Sequence, residues 1–76
     1  MTVLPERPLG RAPLTVSALG FGAAPLGGLY REVSAADAGA TVDAALAGGV
    51  TYFDTAPLYG HGLSEHRLGQ ALCEAW

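Results

Sequence analysis

Asp54 and Tyr59 are the two side chains whose types and spacing best suit proton chemistry. An apolar run from Val50 to Phe53 leads into Asp54, and a loop marked by Pro57 and Gly60 carries Tyr59. Each has a plain structural reading on its own. An Asp at a strand end commonly accepts hydrogen bonds from the backbone of the next turn, as an Asx-type contact. An aromatic in a loop commonly packs at a rim. A carboxylate and a phenol across one strand-to-loop junction are also a candidate acid/base pair, and both readings stand at this point. A free phenol, with a pKa of about 10, exchanges protons poorly at neutral pH. An ammonium beside a phenol lowers that value, and a carboxylate can hold the ammonium in place. Two of these three parts are present. The basic residues are Arg7, Arg11, Arg31 and Arg67, and there is no lysine.

The other reactive residues read more plainly. His61 and His66 lack carboxylate or cysteine company at metal-ligand spacing, so no metal site is expected; both should be exposed. Cys73 in an alanine-rich helix reads as a small packing residue. Gly20-Phe21-Gly22-Ala23-Ala24-Pro25 begins like a dinucleotide fingerprint, but Pro25 stands where the third glycine belongs. Gly22 to Gly27 has phosphate-loop spacing, with Gly28 in place of the required lysine. Both nucleotide-loop readings fail, which leaves glycines that turn the chain above a strand. Tyr30 reads as loop packing, with a substrate mouth as the alternative.

The elements that must position Asp54 and Tyr59 follow from periodicity. Met1 to Glu6 reads as a tail. Arg7-Pro8-Leu9 and Leu14-Thr15-Val16 flank a Gly/Pro connection and suggest a short hairpin. Ser17 to Gly22 alternates with period two and reads as a strand, and Ala23 to Arg31 reads as a loop. Ser34 opens a helix as its N-cap with Asp37 three residues on, and Ala38, Val42, Ala45 and Leu46 make its apolar stripe. Gly48-Gly49 ends it. Val50 to Asp54 is the second strand, and its period sends Val50 and Tyr52 to the same side as Asp54, with Phe53 toward the helices. Ser64 reads as the cap of a second helix with a stripe of Leu68, Ala71, Leu72 and Ala75, and Leu63 is placed to staple onto Leu68. Strands alternating with helices predict an α/β fold with parallel pairing.

Composition bounds the rest. Seventy-six residues make one unit, 1–76, in which hydrophobic residues are 50% and charged residues 14%. That is too apolar for a disordered segment. A chain of this length buries only about 60% of the surface its unfolded form exposes, so association is expected. A net charge of −3 gives no reason to expect nucleic acid or an anionic membrane as partner. The single cysteine excludes an internal disulfide and fits a reducing compartment. No apolar run reaches the roughly 18 residues of a membrane span, and the N-terminus does not read as a signal peptide, so a cytoplasmic protein is expected.

Leu19-Gly20-Phe21-Gly22, then Tyr52-Phe53-Asp54-Thr55-Ala56 with Tyr59-Gly60, then Ser64-Glu65 with Leu68-Gly69, resemble the N-terminal part of an aldo/keto reductase over nearly the whole chain. The run from Gly22 to Tyr30 is similar to the branch of aldose and pyridoxal dehydrogenases. The resemblance implies an N-terminal hairpin and the first two βα units of a (β/α)8 TIM barrel that these residues do not close; such a barrel takes about 250 residues. It implies hydride transfer between NAD or NADP and a carbonyl or alcohol, with an aldose or other small carbonyl compound as substrate. It assigns Tyr59 as the acid/base, Asp54 as its supporting carboxylate, and the backbone at Gly22, Ala23 and Ala24 as the segment near the nicotinamide. The family's lysine, its histidine and its adenosine-phosphate site have no counterpart here. The chain alone is therefore expected to be an inactive part of an oxidoreductase; the alternative is an inert truncated product or an interaction module.

Overall fold

A computed structural model describes residues 4–29 and 31–75, the side chains as far as Cys73. The expected tail residues Met1–Val3, together with Tyr30, Trp76 and the side chain of Ala75, lie outside the described residues. The chain first forms an antiparallel hairpin of β1 (Glu6–Pro8) and β2 (Thr15–Ser17), with Arg7 opposite Val16. Glu6, expected in the tail, instead begins β1, where its carboxylate accepts from Thr15 Oγ1 at 2.7 Å. Strands β3 (Gly20–Gly22) and β4 (Tyr52–Asp54) then pair in parallel, with Gly20 opposite Tyr52 and Gly22 opposite Asp54. Helix α1 (Ala35–Ala47) connects them, and helix α2 (Leu63–Ala75) follows β4. The described residues thus form an α/β unit with two two-stranded sheets, and no barrel is closed among them.

The single strand expected over Ser17 to Gly22 is broken. Ser17 ends β2, and β3 starts at Gly20. The cause is the Ser17 side chain. Its hydroxyl donates to the Leu19 carbonyl at 2.7 Å, a local bond that competes with continued ladder pairing. Ser17 also exchanges bonds with Thr51: its N–H donates to Thr51 Oγ1 at 2.8 Å, and Thr51 N–H donates to Ser17 Oγ at 2.9 Å. This tie fixes the hairpin to the N-terminal end of β4, opposite the end that carries Asp54.

Helix α1 begins as its sequence dictates, with Ser34 Oγ accepting from Asp37 N–H at 3.1 Å. Its stripe packs inward: Ala38 and Val42 are buried, and Leu46 packs against the core. Gly48 keeps a right-handed conformation and the left-handed one falls to Gly49, at φ +97°. From α2, Leu68 is buried, with Ala71 and Leu72 beside it. Ala23, Leu26, Ala38, Val42 and Leu68 form the core. Phe21 and Phe53 pack onto it from the paired strands, ring centroids 5.6 Å apart.

Phe53 therefore faces the helices as its period requires, and the opposite face of β3–β4 is open. Tyr52, 43% exposed, and Asp54 stand on that face beside Gly20 and Gly22. Val50 departs from the expected row. It precedes β4 rather than belonging to it, and at 7% exposure it is buried. The segment expected as a plain loop after β3 contains a 3-10 turn, Ala24–Gly27, which puts Pro25 in its first positions and buries Leu26.

Candidate active site

Asp54 is the last residue of β4, and Ala23 is the first residue after β3, so both lie at the carboxyl end of the parallel pair. Ala23 N–H donates to the Asp54 carbonyl at 2.9 Å, which extends the ladder by one bond and pins the two strand ends together. The Asp54 carboxylate projects over Gly22. A Cβ at Gly22 would lie 3.9 Å from Asp54 Oδ2, so the strand beside the carboxylate is bare backbone. Asp54 is exposed, and no salt bridge to it occurs among the described residues.

Behind this rim lies a polar knot. Ser64 Oγ donates to the Ala23 carbonyl at 2.7 Å and lies 2.8 Å from Thr55 Oγ1. A serine hydroxyl has one proton. Ser64 gives its proton to Ala23, so Thr55 is the donor to Ser64. The Ala23 carbonyl also accepts Leu26 N–H at 3.0 Å. Ser64 is 0% exposed. It was expected as the cap of α2, and it is not: it sits one residue inside the helix with its side chain turned into the molecule. The helix start is held by backbone instead, with Leu63 N–H on Gly60, Ser64 N–H on Tyr59 and His66 N–H on Gly62. Arg67, one turn further on, donates to the Leu26 carbonyl at 2.8 Å and ties α2 to the 3-10 turn.

Tyr59 is half-buried in the turn between β4 and α2. Two glycines fix its backbone. A Cβ at Gly27 would come within 2.8 Å of the Tyr59 carbonyl carbon and oxygen, and a Cβ at Gly60 would come within 2.5 Å of the Gly27 oxygen. Only glycine permits this approach, and Gly60, at φ +64°, needs glycine for its own conformation as well. The Tyr59 loop and the turn after β3 thus pack backbone on backbone.

The sequence-predicted residues fall into place unequally. Asp54 and Gly22 lie together on the open face. Ala23 is fully buried, and its N–H and carbonyl are both used internally, so what it can offer a ligand is position rather than a hydrogen bond. Ala24 is half-buried at the start of the 3-10 turn. His61 and His66 are exposed, and among the described residues no group of three metal-binding side chains occurs. Cys73, expected in packing, is exposed, on the side of α2 away from the stripe of Leu68 and Leu72. Thr55, Ser64, Arg67 and the Gly27–Gly60 contact were not anticipated as site supports. Thr55, Gly60 and Ser64 stand in the runs that carry the family resemblance, but locally a small polar residue near a helix start signals a cap. A groove of about 880 Å³ runs between β3 and α1 past Phe21, Arg31, Asp37 and Thr41, and is lined by neither Asp54 nor Tyr59.

The described residues form a parallel βαβα unit with a carboxylate at a strand end and a phenol in the following turn, and in parallel α/β barrels this end of the strands is where functional groups gather. The aldo/keto reductase family profile matches residues 18–75, and the chain belongs to that family. It is 58% identical over 69 residues to a pyridoxal 4-dehydrogenase of Microbacterium luteolum, covering 91% of this chain and 20% of that protein. It is 50% identical over 72 residues to an L-galactose dehydrogenase of Arabidopsis thaliana, 95% of this chain and 23% of that one. It is 52% identical over 61 residues to a D-threo-aldose 1-dehydrogenase of a Pseudomonas species, 80% of this chain and 18% of that one. The chain thus spans about a fifth of the length of these relatives.

Proposed function

We propose that these residues are the N-terminal hairpin and first two βα units of a (β/α)8 oxidoreductase that moves hydride between a nicotinamide cofactor, NAD or NADP, and a small carbonyl compound. Asp54 and Gly22, paired at one strand end, with the Tyr59 loop packed on the turn after β3 at Gly27, carry the reading. The relatives' names supply the substrate class: pyridoxal, L-galactose and a D-threo-aldose all offer an aldehyde-level carbon for oxidation.

The residues present fit the nicotinamide end of the cofactor. Gly20 and Gly22 leave the strand face without Cβ atoms, and Tyr52 flanks it, with its ring 3.0 Å from where a Gly20 Cβ would stand. When bound, the nicotinamide supplies the hydride for reduction or accepts it in oxidation. Tyr59 then gives its phenolic proton to the substrate oxygen as the alcohol forms, and takes it back in the reverse direction. Asp54 orients a cation for that phenol, and the family's lysine would have to come from outside these 76 residues. The phosphates have no cradle among the described residues. Arg7 and Arg11 lie on the hairpin, Arg67 is held by Leu26, and Arg31 is the single cation among the described residues that line the groove beside α1. Within the cell we place the enzyme in the cytoplasm; no helix among the described residues is long and apolar enough to cross a membrane.

A second reading applies to the 76 residues by themselves: an inert piece or an interaction module. The lack of lysine and the exposure of Leu58, at 82%, and Leu19, at 59%, favour it. The two readings are compatible, one for the enzyme and one for its isolated part. The test is a nicotinamide absorbance assay of the complete protein against a panel of aldoses and small aldehydes. Turnover of at least one aldose or aldehyde with either cofactor is expected, and Asp54→Asn should lower it. Silence across the panel, or an Asp54→Asn variant as fast as the parent, would contradict the assignment.

A further inference from the structure

The bonds around Ala23 close into a ring. Ala23 N–H holds the Asp54 carbonyl, the chain continues into Thr55, Thr55 Oγ1 donates to Ser64 Oγ, and Ser64 Oγ donates back to the Ala23 carbonyl, at 2.9, 2.8 and 2.7 Å in turn. Two of the three hydrogen bonds meet at one residue, Ala23, and the ring is closed through the adjacent residues Asp54 and Thr55. Such a closure restrains rotation about the Asp54–Thr55 junction more than any single bond could. It is also fully enclosed at Ser64, where water cannot substitute for a missing partner. We infer that Ser64, with Thr55 as its donor, is a positioning residue for Asp54, setting the direction in which the carboxylate leaves β4. The inference rests on the proposed role of Asp54 and adds the group that aims it.

The arrangement fits this task better than capping, the usual work of a serine at a helix start. Three of the first four N–H groups of α2, those of Leu63, Ser64 and His66, already have backbone partners at Gly60, Tyr59 and Gly62. The hydroxyl instead joins three segments: the turn after β3, the end of β4 and the first turn of α2. Ser64 N–H also holds the Tyr59 carbonyl at 3.2 Å, so one residue bonds the backbone of the acid/base directly and reaches the carboxylate support through Ala23 and Thr55. A displacement of either by a fraction of an ångström changes the geometry of proton transfer without touching the substrate.

The test uses the complete oxidoreductase and four variants: Thr55→Val, Thr55→Ser, Ser64→Ala and the double variant Thr55→Val/Ser64→Ala. Thr55→Val keeps shape and removes the donor, at an exposed residue where folding is least at risk. Its kcat should fall roughly tenfold with cofactor KM within about twofold, while Thr55→Ser, which keeps the hydroxyl, should stay within about twofold of the parent. Ser64→Ala should lose at least as much, and the double variant no more than Ser64→Ala alone, because both remove the same link. A Thr55→Val variant with parental kcat, or losses that multiply in the double variant, would overturn the proposal. Melting temperatures of the same cycle separate a scaffold from a positioning role: non-additive melts with parental kcat would leave the ring as scaffold only and overturn the inference. Tyr59→Phe is run alongside. If it turns over like the parent, the proposed function fails by itself, and the ring is then judged on the melts, where additivity would remove it as well.

Discussion

Gly60 and Gly27 do as much to place Tyr59 as any side chain does. Their backbones meet where a methyl group would stand 2.5 to 2.8 Å from main-chain atoms, and main chain cannot swing aside as a flexible side chain can. Gly60→Ala in the complete protein should cost roughly 1–3 kcal/mol, through overpacking added to an unfavourable left-handed conformation. Gly10 supplies the control, because it has a similar φ of +57° and nothing within 4 Å of its added Cβ. Thermal melts should show Gly60→Ala clearly below Gly10→Ala; equal losses would mean that the contact contributes nothing. At this scale the sequence was legible where position follows from local pattern, as it does for Asp54 at the end of β4 and Tyr59 in the turn that follows. It was not legible where a residue's role depends on what lies across a gap in the chain. Ser64 and Ala23 are 41 positions apart and Ser17 and Thr51 are 34, and no local pattern marks either pair.

Among the elements, α1 was the most legible, because its cap, its first-turn acid and its stripe all agree. Ser34→Ala removes the acceptor of Asp37 N–H and should cost about 1 kcal/mol, read as a lower melting temperature, with Ser34→Asp restoring most of it. A neutral Ser34→Ala would mean that water replaces the cap at this exposed position. Helix α2 shows why a serine at a helix start is ambiguous. The same residue type can serve the helix's own amides or a partner across the core, and one step of position decides which. Ser64 lies one residue inside, so its hydroxyl points to Ala23. The strands were legible in order and pairing but not in extent. Ser17 turns the chain through its own hydroxyl, and Val50 is buried before the ladder begins, both by contacts that period two does not describe.

At the scale of the whole molecule, the described residues leave the β3–β4 pair with two unpaired edges and an open face, and leave Leu58, Leu19 and Tyr52 exposed. Unpaired edges template pairing with other chains. The isolated chain should therefore associate, with a sedimentation profile that grows heavier with concentration; a monomer melting sharply and independently of concentration would contradict this. The described residues form four short strands in two sheets, and the barrel that the resemblance implies is not closed among them. The central claim is that Tyr59 moves the proton at a rim which other strands must complete. Its most direct test is hydride transfer, followed by nicotinamide absorbance, in the complete protein, its Tyr59→Phe variant and the isolated 76 residues. The account predicts turnover in the first, a fall of about 10²–10⁴-fold in the second with cofactor affinity nearly unchanged, and none in the third. Full turnover by Tyr59→Phe, or turnover by the isolated chain that Tyr59→Phe abolishes, would contradict it.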